Sequence, residues 1–344
     1  MNDAWDTLAG FESRDLISRH FKKRHGIEAN AGKIREIASS FTQGREYFTS
    51  AIAANIAVKP LLLYYGVLSL SRGLILFLSP NLRETSLKPS HGLEVTNWQS
   101  CLANKDFASL EIRVGNGTFS ELLTAVKNKS YFRSNTSFVN WGISFEQPKE
   151  GEKLSFYALA SGFPDLHREL AAWSNMPYER LGLEGFKIDK PNSKYVITVY
   201  GGDSKHRAIE ACFPTEVFHN KEVSISKNIT SIFLPFPLIH YPRFVYSFNG
   251  SFSEIGHINI VDYLPNCESL CDIGQFYMAA YILGMMSRYF PTTWISLGRT
   301  EKGDVIYPFI LKLIKYIQRY FPKIVLDHLD APYDFESKSN ANKE

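Results

Sequence analysis

The sequence predicts an α+β protein: a discontinuous helical core, drawn from the N- and C-terminal regions, frames a central β-rich region. Three observations predict it. Apolar residues recur with a helical period through the first hundred residues and again from about Asp272. Between about Phe107 and Asp262 the pattern changes to short, aromatic, alternating runs separated by turn residues. Both helical parts are strongly apolar, and packing them together as one bundle buries both faces. The expected divisions are a helical region over 1–104, a β-rich region over 105–262, a second helical region over 263–332 that packs on the first, and a polar tail over 333–344.

The elements follow in order. Ser13 is placed to cap a helix with Asp15 in its first turn, running through DLISRHFKKRHG to a stop at Gly26. A second helix spans about Lys33 to Asn55, with Ile34, Ile37, Ala38, Phe41, Phe48 and Ile52 on its apolar face. Pro60 suits the first turn of a third helix, which ends near Ser79-Pro80 and leads into the polar loop NLRETSLKPSHG. In SLEIRVGNGTF the glycines Gly115 and Gly117 predict a hairpin turn. SFVNWGISF and KLSFYALA read as strands, FPDLHRELAAWSN as a short helix, and KYVITVYGG, SIFLPFPLIHYPRFVYSF and HINIVDYL as strands whose prolines mark edges or loops. Helix returns at Asp272 and stops before Pro291. A last helix covers about Val305 to Tyr320, FPKIVLDHL adds a short terminal turn, and FESKSNANKE is expected to fray.

Composition narrows the class. The 344 residues are 44% hydrophobic and 14% aromatic, ample for a packed core. A net charge of +3 falls short of a dedicated DNA-binding domain. Cys101, Cys212, Cys267 and Cys271 form no CxxC pair, so neither a disulfide framework nor a metal site is expected, although Cys267 and Cys271 lie one helical turn apart. No cofactor is implied. The N-terminus MNDAWDTLAGFESRD is acidic and polar, unlike a signal peptide. The run Lys59 to Leu78, KPLLLYYGVLSLSRGLILFL, has the length of a bilayer span, but Arg72 sits within it among three serines. A core helix in a cytoplasmic protein is the expectation, and Arg72 then needs a partner, because an uncompensated buried cation costs several kcal/mol.

Candidate site residues lie in four places. Lys59, Tyr64, Tyr65 and Arg72 form a polar stripe on that apolar helix, either lining a pocket or fixing helix register through hydrogen bonds. His91-Gly92 follows a loop. In SRYFPTTW, Arg288 either binds an anion at a helix end, with Tyr289 and Trp294 as stacking walls, or is a core cation bonding helix C-terminal carbonyls. The basic run HFKKRH (His20 to His25) is either a phosphate contact or a solvated helix face. The glycines of GNG and GGDSKH lack a phosphate-loop lysine with its Ser or Thr, and no G-x-S-x-G, HExxH or paired-carboxylate pattern is present.

Four patterns resemble the YaaC-like proteins of bacteria: W-x-x-L-x-x-F-E-S (Trp5 to Ser13), VKPLLLYYGVLSLSRGLILF, the following His91-Gly92-Leu93, and SRYFPTTW (Ser287 to Trp294). Their order spans most of the chain. The last departs from the family's common RYHP form, with Phe290 in place of that histidine. The resemblance implies a cytoplasmic protein, with some relatives in phage-defence settings. The early helices also resemble the HEPN bundles, whose nuclease members pair an arginine that polarises phosphate with a nearby histidine that moves a proton. Arg14 and His20 match that pair as catalytic candidates, although six residues put them about 120° apart around a helix. The expected function is an accessory or binding subunit of a bacterial complex, in antiviral defence, recognising a protein partner or a nucleic acid. The alternatives are a metal-independent HEPN-type ribonuclease and a nucleotide or small-anion sensor using Arg72 and Arg288.

Overall fold

The computed structural model describes residues 2–132, 141–175, 178–202, 205–236, 240, 242–248, 257–264, 270–299 and 304–330. The chain divides into two compact units, Met1–Ser155 with Leu270–Glu344, and Phe156–Ser269. The first unit opens with α1 (Asn2–Leu8), a 3-10 turn (Ala9–Glu12), α2 (Arg14–His25), α3 (Ala31–Ala53) and α4 (Lys59–Leu78). It continues through β1 (His91–Val95), α5 (Trp98–Asn104), β2 (Glu111–Gly117), α6 (Thr118–Ala125), β3 (Lys129–Phe132), β4 (Trp141–Ser144) and β5 (Lys153–Ser155). The second unit holds α7 (Phe156–Ala160), α8 (His167–Ser174), β6 (Arg180–Asp189), β7 (Lys194–Tyr200), α9 (His206–Cys212), β8 (Glu222–Ile225), β9 (Ile229–Pro235), β10 (Arg243–Ser247) and β11 (His257–Val261). The first unit is completed by α10 (Asp272–Tyr289), α11 (Pro291–Leu297) and α12 (Tyr307–Asp330). The fold is α+β, with helices from both ends of the chain packed in one unit.

α4 is the axis of that unit. It has the length and mean hydropathy (1.8) of a membrane span, yet most of it is buried. α3 runs antiparallel to it: the rings of Phe48 and Phe41 press on Gly66 and Gly73, and Leu70 presses on Gly44. α10 crosses its other side, where Tyr64 lies against Gly284. The opening motif is structural. Trp5 packs on Phe48 at 5.2 Å, Phe11 is buried against Phe41 and Phe77, and Glu12 accepts from Arg45 Nε at 2.7 Å. Lys33, 2% exposed, donates through Nζ to the carbonyls of Ser79 (2.9 Å) and Leu82, where a cation meets the negative end of α4. Burial pushes its ammonium down to about 8.

Several expected elements differ. Gly115–Gly117 do not form a hairpin turn: β2 runs through them and passes straight into α6. β2 is the central strand of a three-stranded antiparallel sheet, ordered β1-β2-β5, with His91 of β1 opposite Gly117. FYALA is helix α7, not strand, because its apolar residues Phe156, Ala158, Leu159 and Ala160 are buried together. α12 continues through Pro322 rather than ending at Tyr320. An interior proline costs about 3 kcal/mol, and the buried face from Phe309 to Leu329 outweighs it. Pro291 starts α11 in the position where its missing N–H costs nothing. Cys267 and the expected tail over 333–344 lie outside the described residues.

The second unit is a six-stranded antiparallel sheet, ordered β10-β11-β6-β7-β9-β8. α9 packs on it around Ile197, Val199, Ile209, Phe213, Ile232 and Ile260. Among the described residues the buried arginine is here, not in α4. Arg243, 6% exposed, donates to Ser161 Oγ and to the carbonyls of Ala158 (3.1 Å) and Asp262 (3.0 Å). This satisfied network holds β10 and β11 to α7.

One buried carboxyl makes stability depend on pH. Asp272 starts α10, accepts from Ser130 Oγ at 3.0 Å, and is pushed up to about 7, first by burial and then by the charge of Asp327. Its folded value lies above its unfolded value. The stabilising contribution of its proton is therefore complete below about pH 4 and lost as pH rises through 7. Asp272→Asn removes this loss. Relative to the variant, the wild type should lose about 2–3 kcal/mol between pH 5 and 8 in denaturant titrations. A difference that is constant across that range would contradict the assignment.

Candidate functional site

α4, β1 and α10 bring four polar side chains to one place. The apolar flanks of α4 bury Tyr64 completely, and the absence of a side chain at Gly284 makes room for it, since a Cβ there would lie 2.7 Å from Tyr64 Cβ. His91 arrives on β1 through two tight backbone positions. Gly92 has φ +78°, and a Cβ on it would meet Phe119 N at 2.9 Å. A Cβ on Gly117 would meet Gly92 N at 2.5 Å and the Ser90 carbonyl oxygen at 2.6 Å. The N–H and hydroxyl of Thr118 both donate to the Ser90 carbonyl, pinning the entry to β1.

Tyr64 Oη and His91 Nδ1 share a hydrogen bond of 2.6 Å, with the rings edge to face. The Tyr277 hydroxyl donates to the His91 carbonyl at 3.1 Å, and the Tyr281 ring lies 5.6 Å from Tyr64 and 5.8 Å from His91. Burial, and then the charge of Arg288, hold His91 below the ordinary imidazole range, so it is neutral at pH 7. Burial pushes the Tyr64 phenol far above its ordinary value, and lifts Tyr281 to about 12 with help from Glu94 and Tyr289. The Tyr64–His91 bond therefore joins two neutral groups. His91 Nε2 has no hydrogen-bond partner among the described residues.

The second pair lies at the end of α10. Arg288 Nη1 donates to the Tyr65 hydroxyl at 2.8 Å, and its guanidinium stands 5.0 Å over the ring of Tyr289. Tyr65 stacks on Tyr47 at 5.6 Å, and Phe290 packs on Trp98 at 5.1 Å. The result is one exposed cation on an aromatic rim, beside a neutral histidine whose second nitrogen is unused. Such an arrangement holds an anion by charge and a flat group by stacking. Among the described residues no group of His, Cys, Asp and Glu is placed to hold a metal ion.

Of the expected site residues, Tyr64, Tyr65, His91, Arg288 and Tyr289 meet here. The others are elsewhere or structural. Lys59 Nζ donates to the Ile52 carbonyl near the end of α3, and buried Trp294 donates through Nε1 to the Ile56 carbonyl at 2.9 Å. Arg72 lies two turns of α4 beyond Tyr65, about 10 Å along the axis, where its charge reaches the Tyr277 hydroxyl. It is half-buried, and Arg288 is exposed, so the two cations do not share a buried core. Arg14 and His20 are both exposed on α2, and His20 stacks on Phe11 at 5.3 Å. The basic run around them is split among local roles: Lys22 pairs with Glu28, Arg24 donates to the carbonyls of His328 and Leu329, and His25 bonds the Phe77 carbonyl. Tyr277 and Tyr281 are not among the residues expected from the sequence, although their four-residue spacing puts them on one helix face.

The chain belongs to the YaaC-like protein family: the family's sequence model matches residues 10–329. The matched stretch contains all three elements of the site. No curated protein and no solved structure matches the chain.

Proposed function

We propose that this protein is a recognition subunit that binds a phosphate-bearing aromatic ligand, a nucleotide or the end of a nucleic-acid strand, at the Tyr64–Tyr65–His91–Arg288 site. The convergence of these residues from three elements is the observation that carries the reading. Arg288 supplies a fixed positive charge, the Nε2 side of His91 a further polar contact, and Tyr289 with Tyr65 the faces on which a base stacks. The setting we propose is a bacterial complex of the defence type implied by the resemblance to relatives. Calorimetric titration with ATP and with a single-stranded hexaribonucleotide tests it. Arg288→Gln should weaken binding of whichever ligand the wild type takes by tenfold or more, about 1.4 kcal/mol, without lowering the melting temperature, because the side chain is exposed. Absence of binding to either ligand would reject the reading.

A second reading has one observation in its favour. A neutral histidine beside an arginine supplies the proton acceptor and the phosphate-polarising cation that metal-independent RNA cleavage needs. It moves the ribonuclease alternative from Arg14 and His20 to His91 and Arg288. Incubation with RNA in EDTA should then give 2′,3′-cyclic phosphate ends that disappear in His91→Ala. Binding without cleavage would leave recognition alone.

A further inference from the structure

α12 carries a feature that the site does not use. Over its first nineteen residues, Tyr307 to Val325, it contains no acidic side chain, while Lys312, Lys315, Arg319 and Lys323 are all exposed. Their spacings of three, four and four residues keep them within about 80° around the helix, so they form a stripe along one face. The rise between neighbours is about 4.5–6 Å and the whole stripe is about 16 Å long. Lys315, Arg319 and Lys323 make no ion pair among the described residues. Arg319 and Lys323 instead flank the buried ring of Tyr320, at 5.2 Å and 5.7 Å, which holds their stems against the helix. The acidic residues of this helix, Asp327 and Asp330, stand beyond the stripe at its C-terminal end.

We propose that this stripe tracks the phosphate backbone of a nucleic acid strand. The charge is of one sign, regularly repeated and rigidly mounted, as a repeating anion requires. A membrane surface is a poorer fit. Interfacial helices insert their apolar face into lipid, and the apolar face of α12, including Ile310, Leu313, Ile314, Ile317 and Phe321, is already buried in the first unit. The inference does not rest on the nucleotide site, because the two use different residues.

The test is fluorescence anisotropy with a labelled 20-nucleotide single-stranded RNA across salt concentrations. Four phosphate contacts predict that log K falls with log salt with a slope of about −3, roughly 0.7 per contact. Replacing Lys312, Lys315, Arg319 and Lys323 together with glutamine should weaken binding at least tenfold at low salt and bring the slope towards zero. The control removes the same charge elsewhere, with Arg14, Arg19, Lys22 and Lys23 on α2 replaced by glutamine, and should keep the wild-type slope. Equal loss in both variants would show that net charge alone is read and would overturn the proposal. So would binding of the wild type to phosphatidylserine vesicles but not to RNA. If the fourfold variant fails to fold, Lys315→Gln and Lys323→Gln should each reduce the slope by about 0.7, and an unchanged slope in both would overturn it.

Discussion

Gly117→Ala should destabilise the protein by about 3 kcal/mol or more, because the added methyl collides with backbone rather than with a movable side chain. Gly92 N and the Ser90 carbonyl oxygen would stand 2.5 Å and 2.6 Å from the new carbon, and both belong to the segment that delivers His91. Relief requires β1 to move away from β2, which breaks the pairing of His91 with Gly117 and the bonds from Thr118 to Ser90. The loss should therefore appear twice, as a lower denaturation midpoint and as a displaced His91 resonance. Ala at the open Gly151 has no such neighbour but requires φ +92°, so it should cost only the backbone strain of about 1 kcal/mol. Equal midpoints for Gly117→Ala and the wild type would refute the close crossing of the two strands.

Tyr64 is the second position of large effect. Its side chain is fully buried between α10 and β1, so Tyr64→Ala should cost about 4 kcal/mol through the cavity it leaves. Tyr64→Phe separates packing from hydrogen bonding. The ring still fills its place against Gly284, while the hydroxyl's 2.6 Å bond to His91 Nδ1 and its contact with the Tyr277 hydroxyl are lost. Leaving that nitrogen without a partner should cost about 1–3 kcal/mol. The phenylalanine variant should also bind nucleotide more weakly than its stability loss explains, since the His91 ring is no longer oriented. A Phe variant as stable and as tight-binding as the wild type would mean that the bond does not position His91.

What the sequence made legible follows physical signal strength. α4 and α10 are long and apolar, with Pro60 and Pro291 marking their limits, and both appear where expected. β1 was illegible: HGLEV is five residues after a polar loop, with neither β-branched runs nor a hairpin signal. It exists because β2 pairs with it and because Gly92 and Gly117 permit the crossing. The GNG tripeptide carried turn chemistry, but a strand-to-helix junction uses the same glycines, and local residues do not distinguish the two. Pro322 showed the converse, a strong local breaker overridden by a buried helix face. At the site, Tyr65 and Arg288 were visible as polar exceptions in apolar helices. Tyr277 and Tyr281 were not, because a tyrosine in an apolar helix reads as ordinary core. Arg72 is a cation in an apolar run, yet it is half-exposed, and among the described residues the buried arginine is Arg243, in a proline-broken strand region.

The proposed joining of His91 and Arg288 in one site for an anionic ligand can be read from the titration of His91 followed by NMR. In the free protein His91 should titrate below the ordinary value of about 6.5, and in Arg288→Gln it should move upward, because a neighbouring positive charge is gone. Saturating ATP should raise it in the wild type and leave it unchanged in Arg288→Gln. A His91 that titrates at the ordinary value, and that responds neither to ATP nor to the loss of Arg288, would mean that the two residues share no site.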